Sequence, residues 1–267
     1  MDQTISQAGD ENRGMTGDSR AEIVEKKFKR FVPTKWRRRY RRYISPIIKD
    51  AYYHDNSARE EFFRCAFSAL AFNGIDGDYA EFGCCGGVTF GLAFRQSRTN
   101  NYRCKLWALD SFKGLPPKVM KEDDHPIWIE GTMAIDVEEF VRICSESNIP
   151  RSEYFIVPGY FEESLKKTAS DNLPQNISLA YVDCDLYSST RSVLEFLIPR
   201  LKHGMIIAFD DYYCWSATQA SGERKACTEY FRDNEKWVLL PFIKYGWGGM
   251  SFVVEDKKLN SALGTFF

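Results

Sequence analysis

The chain of 267 residues holds only three histidines, no Cys-x-x-Cys pair and no Gly-x-Gly-x-x-Gly run. Each absence excludes something. Without paired cysteines or clustered histidines there is no ligand set for a structural zinc. Without the glycine fingerprint a dinucleotide pyrophosphate cradle is not indicated. No uncharged apolar run approaches the ~20 residues of a spanning helix, and no secretory signal opens the chain. The eight cysteines lie singly inside apolar or strand-like stretches, apart from the adjacent Cys84 and Cys85. That pattern suits reduced, mostly buried thiols in the cytoplasm.

Charge of one sign is missing locally rather than globally. The formal net charge is −1, yet the stretch from Lys26 to Arg42 carries ten Lys or Arg and no acid, so the rest carries 26 basic against 37 acidic residues. A basic arm on an acidic body argues against general nucleic-acid binding. Trp36, Tyr40, Tyr43, Ile44 and Ile47 recur at helical spacing with arginines opposite. Three partners are open to this arm: the chain's own domain or a second copy in a homodimer, an anionic membrane surface met through residues 26–47 at its inner face, and, least supported, nucleic acid.

Residues 1–22 are polar and read as a disordered tail, 23–56 as the helical arm, 57–258 as one domain and 259–267 as a short tail. Inside the domain "SAREEFFRCAFSALAF" predicts a helix capped by Ser57, with Phe62, Cys65, Ala66, Ala69 and Leu70 on its apolar side. Then "DYAEFG", "CKLWALD", "YFIVPGY", "ISLAYVDCD" and "GMIIAFDD" read as strands separated by helices. "WVLLPFIKYGWGGMSFVVED" closes the domain as an antiparallel hairpin. The fold class expected is α/β: a mostly parallel sheet with helices on both faces and an antiparallel C-terminal hairpin. The stretch from 113 to 150 is too long for a simple loop and reads as a lid.

The acids fall at strand ends. Glu81, Asp110, Asp183, Asp185, Asp210 and Asp211 all stand where ligands bind in such sheets. Glu81 precedes a turn with Gly83, Gly86 and Gly87, where glycine admits close backbone approach. Asp110, 29 residues on, could accept both ribose hydroxyls of an adenosine, while Glu81 could hold an ammonium group. Together they suit S-adenosylmethionine better than NAD; helix capping or ordinary ion pairing is the competing explanation. The pairs Asp183/Asp185 and Asp210/Asp211 leave consecutive strands, and converging carboxylates repel unless a hard cation such as Mg²⁺, Mn²⁺ or Ca²⁺ lies between them. Cys184 faces the opposite way and is a poor ligand. His125, Trp128, Trp215 and Tyr212 are candidates for touching substrate, with core packing or surface exposure as the plain alternative.

The segments "YAEFGCCGG", "WALDSFKGLP", "VPGYFEESL", "YVDCDLYSSTRSVLEFLIPRLKHG", "FDDYY" and "GERKA", in this order, resemble the macrocin-type sugar O-methyltransferases, the group of the mycinamicin and novobiocin sugar methyltransferases. The resemblance spans roughly residues 57–255, and "DxDLYxST…DDY" is its most specific part. It implies a class I S-adenosylmethionine-dependent methyltransferase fold, Mg²⁺ (or Mn²⁺), and methyl transfer to a hydroxyl of a sugar, glycosylated small molecule or glycan. By position it implies Asp183, Asp210 and Asp211 as metal ligands, with Asp185 the alternative, and Asp183 as general base. It implies Glu81, Gly83, Gly87, Asp110, Ser111, Gly159, Tyr160, Phe161 and Asp183 around the cofactor. The chain departs from the family pattern at Cys84-Cys85-Gly86 and at "LKHGM", neither of which removes a carboxylate. A glycosyltransferase using Asp183-x-Asp185 for a metal, or a methyltransferase-like domain that only binds, are the rival functions.

Overall fold

The structure, a computed structural model, describes residues 45–167 and 170–260. The tail 1–22, the arm as far as 44 and the last residues, 261–267, lie outside the described residues.

Five strands, β1 (Asp78–Phe82), β2 (Leu106–Asp110), β3 (Tyr154–Pro158), β4 (Ile177–Val182) and β5 (Ile206–Phe209), run parallel; β6 (Trp237–Tyr245) and β7 (Gly249–Asp256) are antiparallel. Their order across the sheet is β3-β2-β1-β4-β5-β7-β6. The C-terminal hairpin therefore folds back so that its second strand, not its first, pairs with β5, Ile206 opposite Val253. Strand order reverses beside β1, which lies between β2 and β4.

Alternation along the strands divides the core into two layers. Ala80, Phe82, Leu109, Ala180, Val182, Ile207 and Phe209 face one side. Tyr79, Leu106, Ala108, Leu179, Tyr181, Ile206 and Ala208 face the other. Helices α2 (Val88–Thr99), α3 (Val137–Glu146), α4 (Phe161–Lys167), α5 (Tyr187–Leu197) and α6 (Gly222–Phe231) cover the two faces.

The first helix, α1 (Ser45–Phe72), runs unbroken through the expected cap: Ser57 is an interior residue whose Oγ donates to the carbonyl of Tyr53. Its buried stripe is Phe62, Phe63, Ala66, Phe67 and Leu70, turned slightly from the expected face so that Cys65 and Ala69 are only half-buried. The stripe meets a bed of aromatic rings, with Phe62 stacked on Tyr245 at 4.5 Å, Phe63 5.2 Å from Tyr181 and Phe67 5.5 Å from Tyr102. Each phenylalanine so buried contributes about 1.5–3 kcal/mol, which anchors α1 on one face of the sheet. Within the stretch expected as a lid, α3 packs Phe140 and Cys144 into the core. All eight cysteines are thiols, six of them buried. Among the described residues no helix is long and apolar enough to cross a membrane.

Candidate active site

The carboxyl ends of the four central strands stop in step. Gly83 N donates to Leu109 O at 2.8 Å, Asp183 N to Phe82 O at 2.9 Å, and Asp210 N to Val182 O at 2.9 Å. Each residue just past a strand is thus tied to the neighbouring strand, and the side chains at this level share one edge of the sheet. A cleft of about 840 Å³, counting space open to solvent, lies over that edge.

One end of the cleft is formed by Gly83, Asp110, Ser111, Tyr160 and Phe161. Gly83 has φ +95°, and a Cβ there would stand 1.9 Å from the carbonyl oxygen of Asp183. Only glycine fits, so the backbones following β1 and β4 touch. Asp110 is gripped by backbone: Cys84 N reaches Oδ2 at 2.6 Å and Phe112 N reaches Oδ1 at 2.7 Å. Burial raises its pKa against the pull of these amides. The remaining lone pairs can accept further hydrogen bonds. Gly159, with φ +130°, makes the turn from β3 into α4 and so places Tyr160 and Phe161. Gly87, φ +61°, is buried against Ile143 and Phe140 and opens α2.

Glu81 is elsewhere. It shares the face of Tyr79 and Tyr181, is wholly buried, and accepts hydrogen bonds from Tyr79 Oη at 2.5 Å and Thr89 Oγ1 at 2.6 Å. Burial raises its pKa to about 8 despite these donors. Thr89, not Glu81, lines the cleft.

The middle of the cleft is acidic. Among the described residues, Asp183, Asp185 and Asp211 bring ligand oxygens within 4.8 Å of one another. Asp185 has φ +64°, a left-handed conformation that aspartate tolerates better than most residues, and it turns back toward Asp183. Asp210, expected beside them, is not in this group. Adjacent residues leaving a strand point to opposite faces, and Asp210 points toward α1, where Arg59 holds both its oxygens and Tyr181 Oη donates at 2.5 Å. Asp185, which the sequence offered as the alternative to Asp183, joins it in the group.

Leu115, Pro116 and Met133 also wall the cleft, and Asn56 and Arg59 border it from α1. Of the substrate candidates, Trp128 is buried with Leu115, Leu186 and Cys214, and the His125 ring lies tilted against it at 5.1 Å. Tyr212 packs against Phe209 and Phe252 rather than over the cleft. Trp215 is exposed. The cleft residues that the sequence did not suggest include Asn56, Arg59, Thr89, Leu115, Pro116 and Met133. Only Thr89, just after the glycine turn, carried a local signal.

Oxygen-only donors, two of the three buried, suit a hard divalent cation and not a thiophilic metal. With a carboxylate for a diol at one end and an acidic trio in the middle, the cleft has the means to bind a nucleoside and a cation side by side.

Residues 23–247 match the family described as macrocin-O-methyltransferase (TylF). The 8-demethyl-8-(2,3-dimethoxy-alpha-L-rhamnosyl)-tetracenomycin-C 4'-O-methyltransferase of Streptomyces olivaceus is 29% identical over 157 residues, 55% of this chain and 57% of that protein. The demethyldecarbamoylnovobiocin O-methyltransferase of Streptomyces niveus is 28% identical over 148 residues, 52% and 54% of the two chains. The chain thus spans little more than half the length of these curated relatives. Among solved structures, the O-methyltransferase NovP is similar with TM-score 0.61 and 22% identity over 73% of this chain and 79% of its own. The calicheamicin methyltransferase CalS11 has TM-score 0.57 and 20% identity over 94% and 99%. The fold is the class I methyltransferase fold.

Proposed function

This chain belongs to the macrocin O-methyltransferase family, and from that premise we propose that it transfers a methyl group from S-adenosylmethionine to a hydroxyl of a sugar, borne on a small molecule or glycan. The observation that carries the reading is the convergence of Asp211 on Asp183 and Asp185, which line the cleft that also holds Asp110 and Gly83. A glycosyltransferase would need one acidic pair and leaves Asp110 and the Gly83 contact without a purpose.

In this reading Asp110 accepts the ribose hydroxyls through the lone pairs its amide partners leave unused. Gly83 lets the ligand lie against backbone, and Tyr160 and Phe161 flank the base. Asp183, Asp185 and Asp211 would hold Mg²⁺ or Mn²⁺. The cofactor supplies a methyl group already activated on a sulfonium, and the cation a positive field that lowers the pKa of a hydroxyl. Asp183, the half-buried member of the trio, accepts the proton of the sugar hydroxyl. Leu115, Pro116 and Met133 keep water from the reacting side. The loop from 114 to 132, which contributes two of these three, serves as the lid.

Calorimetric titration with S-adenosylhomocysteine, followed by methyl transfer from labelled cofactor to free sugars, nucleotide-sugars and glycosides with Mg²⁺ or with excess EDTA, tests the scheme. Binding of the homocysteine compound and EDTA-sensitive transfer to a sugar are expected. No binding would sink the methyltransferase reading, and full transfer in EDTA would sink the role given to the trio.

A further inference from the structure

We propose that Glu223 is the positioning residue that sets the spacing of Asp183, Asp185 and Asp211, and so the cation affinity of the site; this rests on the cation reading above. The two loops that carry these carboxylates follow different strands, β4 and β5. Glu223, in the first turn of α6 and wholly buried, bridges them. Its Oε1 accepts from Cys184 N at 3.2 Å, the amide between Asp183 and Asp185. Its Oε2 accepts from Asp211 N at 2.9 Å. One side chain thereby ties together the backbones of all three acids.

Two neighbours make the start of α6 a brace. Ser221 Oγ donates to Asp211 O at 2.6 Å and accepts from Arg224 N at 3.3 Å, so it both holds the β5 loop and caps the helix. Gly222 is pressed on the other loop: a Cβ there would lie 2.7 Å from Tyr187 N and 3.3 Å from Asp185 O. Ser221, Gly222 and Glu223 touch both acid-bearing loops in three consecutive residues.

The choice of a carboxylate is costly and specific. Burial, then the charges of Asp211 and Asp183, raise the pKa of Glu223 well above the carboxylate range. An amphiphilic or apolar residue would avoid that cost if filling space were the task. What the side chain offers is two oxygens on one rigid plane, each reached by an amide of a different loop. Glutamine keeps one acceptor and turns an NH₂ toward the second amide. Aspartate keeps both acceptors but on a side chain one methylene shorter.

The test measures Mn²⁺ binding to the full chain by electron paramagnetic resonance, and S-adenosylhomocysteine binding by calorimetry, for wild type and Glu223→Gln. Wild type binds Mn²⁺, and the variant is expected to bind it about 10–100-fold more weakly, the usual effect of losing an outer-sphere support, with homocysteine-compound affinity kept within about a factor of two. Unchanged Mn²⁺ affinity overturns the proposal. A parallel fall in both affinities also overturns it, since Glu223 would then only maintain the fold. Where Glu223→Gln does not fold, Glu223→Asp is read by the same two measurements. Wild type that binds the homocysteine compound but no Mn²⁺ removes the cation reading itself, and the proposal with it.

Discussion

Arg59 grips Asp210 with both arms of its guanidinium, Nε to Oδ1 at 2.8 Å and Nη2 to Oδ2 at 2.6 Å. Arg59 also pairs with Asp55 one helical turn earlier. The fork gives Asp210 its counter-charge from α1, so the trio next door has to deal with three carboxylates and not four. Both side chains are nearly out of water, at 11% and 1% exposure, so the pair is not a weak surface bridge. Arg59→Met should cost about 3–5 kcal/mol, because it strands a buried charge. Arg59→Met with Asp210→Asn should recover most of that loss. Urea denaturation of the four proteins in a double-mutant cycle measures the coupling; additive losses would mean the pair holds nothing.

The trio makes a different prediction. Asp183→Asn and Asp211→Asn each remove one negative oxygen from a group spanning 4.8 Å, without touching Asp110 or Gly83. Methyl transfer should fall about 10²–10⁴-fold, while S-adenosylhomocysteine binding stays close to wild type. Steady-state rates set beside calorimetric affinity separate the two effects. Loss of cofactor affinity in step with rate would place these residues in the nucleoside pocket instead.

Gly83 and Gly86 both have positive φ, +95° and +76°, but their surroundings differ. A Cβ on Gly83 would overlap the Asp183 carbonyl, whereas nothing lies within 4 Å of one on Gly86. Gly83→Ala should abolish stable folding or cofactor binding. Gly86→Ala should cost only the backbone strain, about 1–2 kcal/mol. Thermal unfolding with and without S-adenosylhomocysteine distinguishes them.

Strand positions were legible because β1, β2, β4 and β5 are buried on both faces, and the last three read as apolar runs that stop at an acid. The antiparallel pairing of the last two strands was legible from the Gly-rich turn between them. Which way each acid points was not. Asp210 and Asp211 are chemically equal neighbours, and what sorts them is Arg59, 151 residues away. Asp185 reaches the trio through a left-handed backbone at a residue that is not glycine. Glu81 could have been placed by parity alone: it sits two residues from Tyr79, so the two share a face and meet each other, not the cleft. Tyr212 lies in the turn after β5, where alternation no longer holds, and packs against Phe209 and Phe252. Glu223 lies 39 and 12 residues from the amides it holds, and no local pattern marks it beyond the motif "GERKA".

Burial gives Glu81 a consequence for stability. Its pKa of about 8 stands above its ordinary value of 4.5. Below the lower figure the side chain is protonated in both folded and unfolded chains. Between the two the folded protein keeps a proton that the unfolded chain gives up, so rising pH favours unfolding. The slope from this group is about 1.4 kcal/mol per pH unit, and it ends once the folded state also ionises. Glu81→Gln, still able to bond Tyr79 and Thr89, should lose that slope. Urea midpoints of both proteins between about pH 5 and about pH 7.5 should converge at the acid end and separate, with the variant more stable, toward the basic end. Parallel curves would mean Glu81 does not carry the dependence.

Asp123 links the loop over the cleft to the helix beneath it. Helix α5 begins after Leu186, which has no side-chain acceptor for the helix's first amides. Asp123, 1% exposed, supplies one from across the cleft: Oδ1 accepts from Ser188 N at 2.9 Å, and Oδ2 from Met120 N at 3.0 Å and Val119 N at 3.3 Å. The loop is closed at its base by Leu115 N to Thr132 O and Gly131 N to Leu115 O. Asp123→Ala should therefore cost about 0.5–2 kcal/mol, as loss of a helix cap does, and free the loop that carries Leu115 and Pro116. Amide hydrogen exchange should quicken at Val119, Met120 and Ser188 together, since one carboxylate protects all three. The acceptor KM should rise while cofactor affinity does not, because Asp110 and Gly83 lie on strand ends that the loop does not support. Faster exchange at Ser188 alone would show that the loop is held by the packing of Trp128 and not by Asp123.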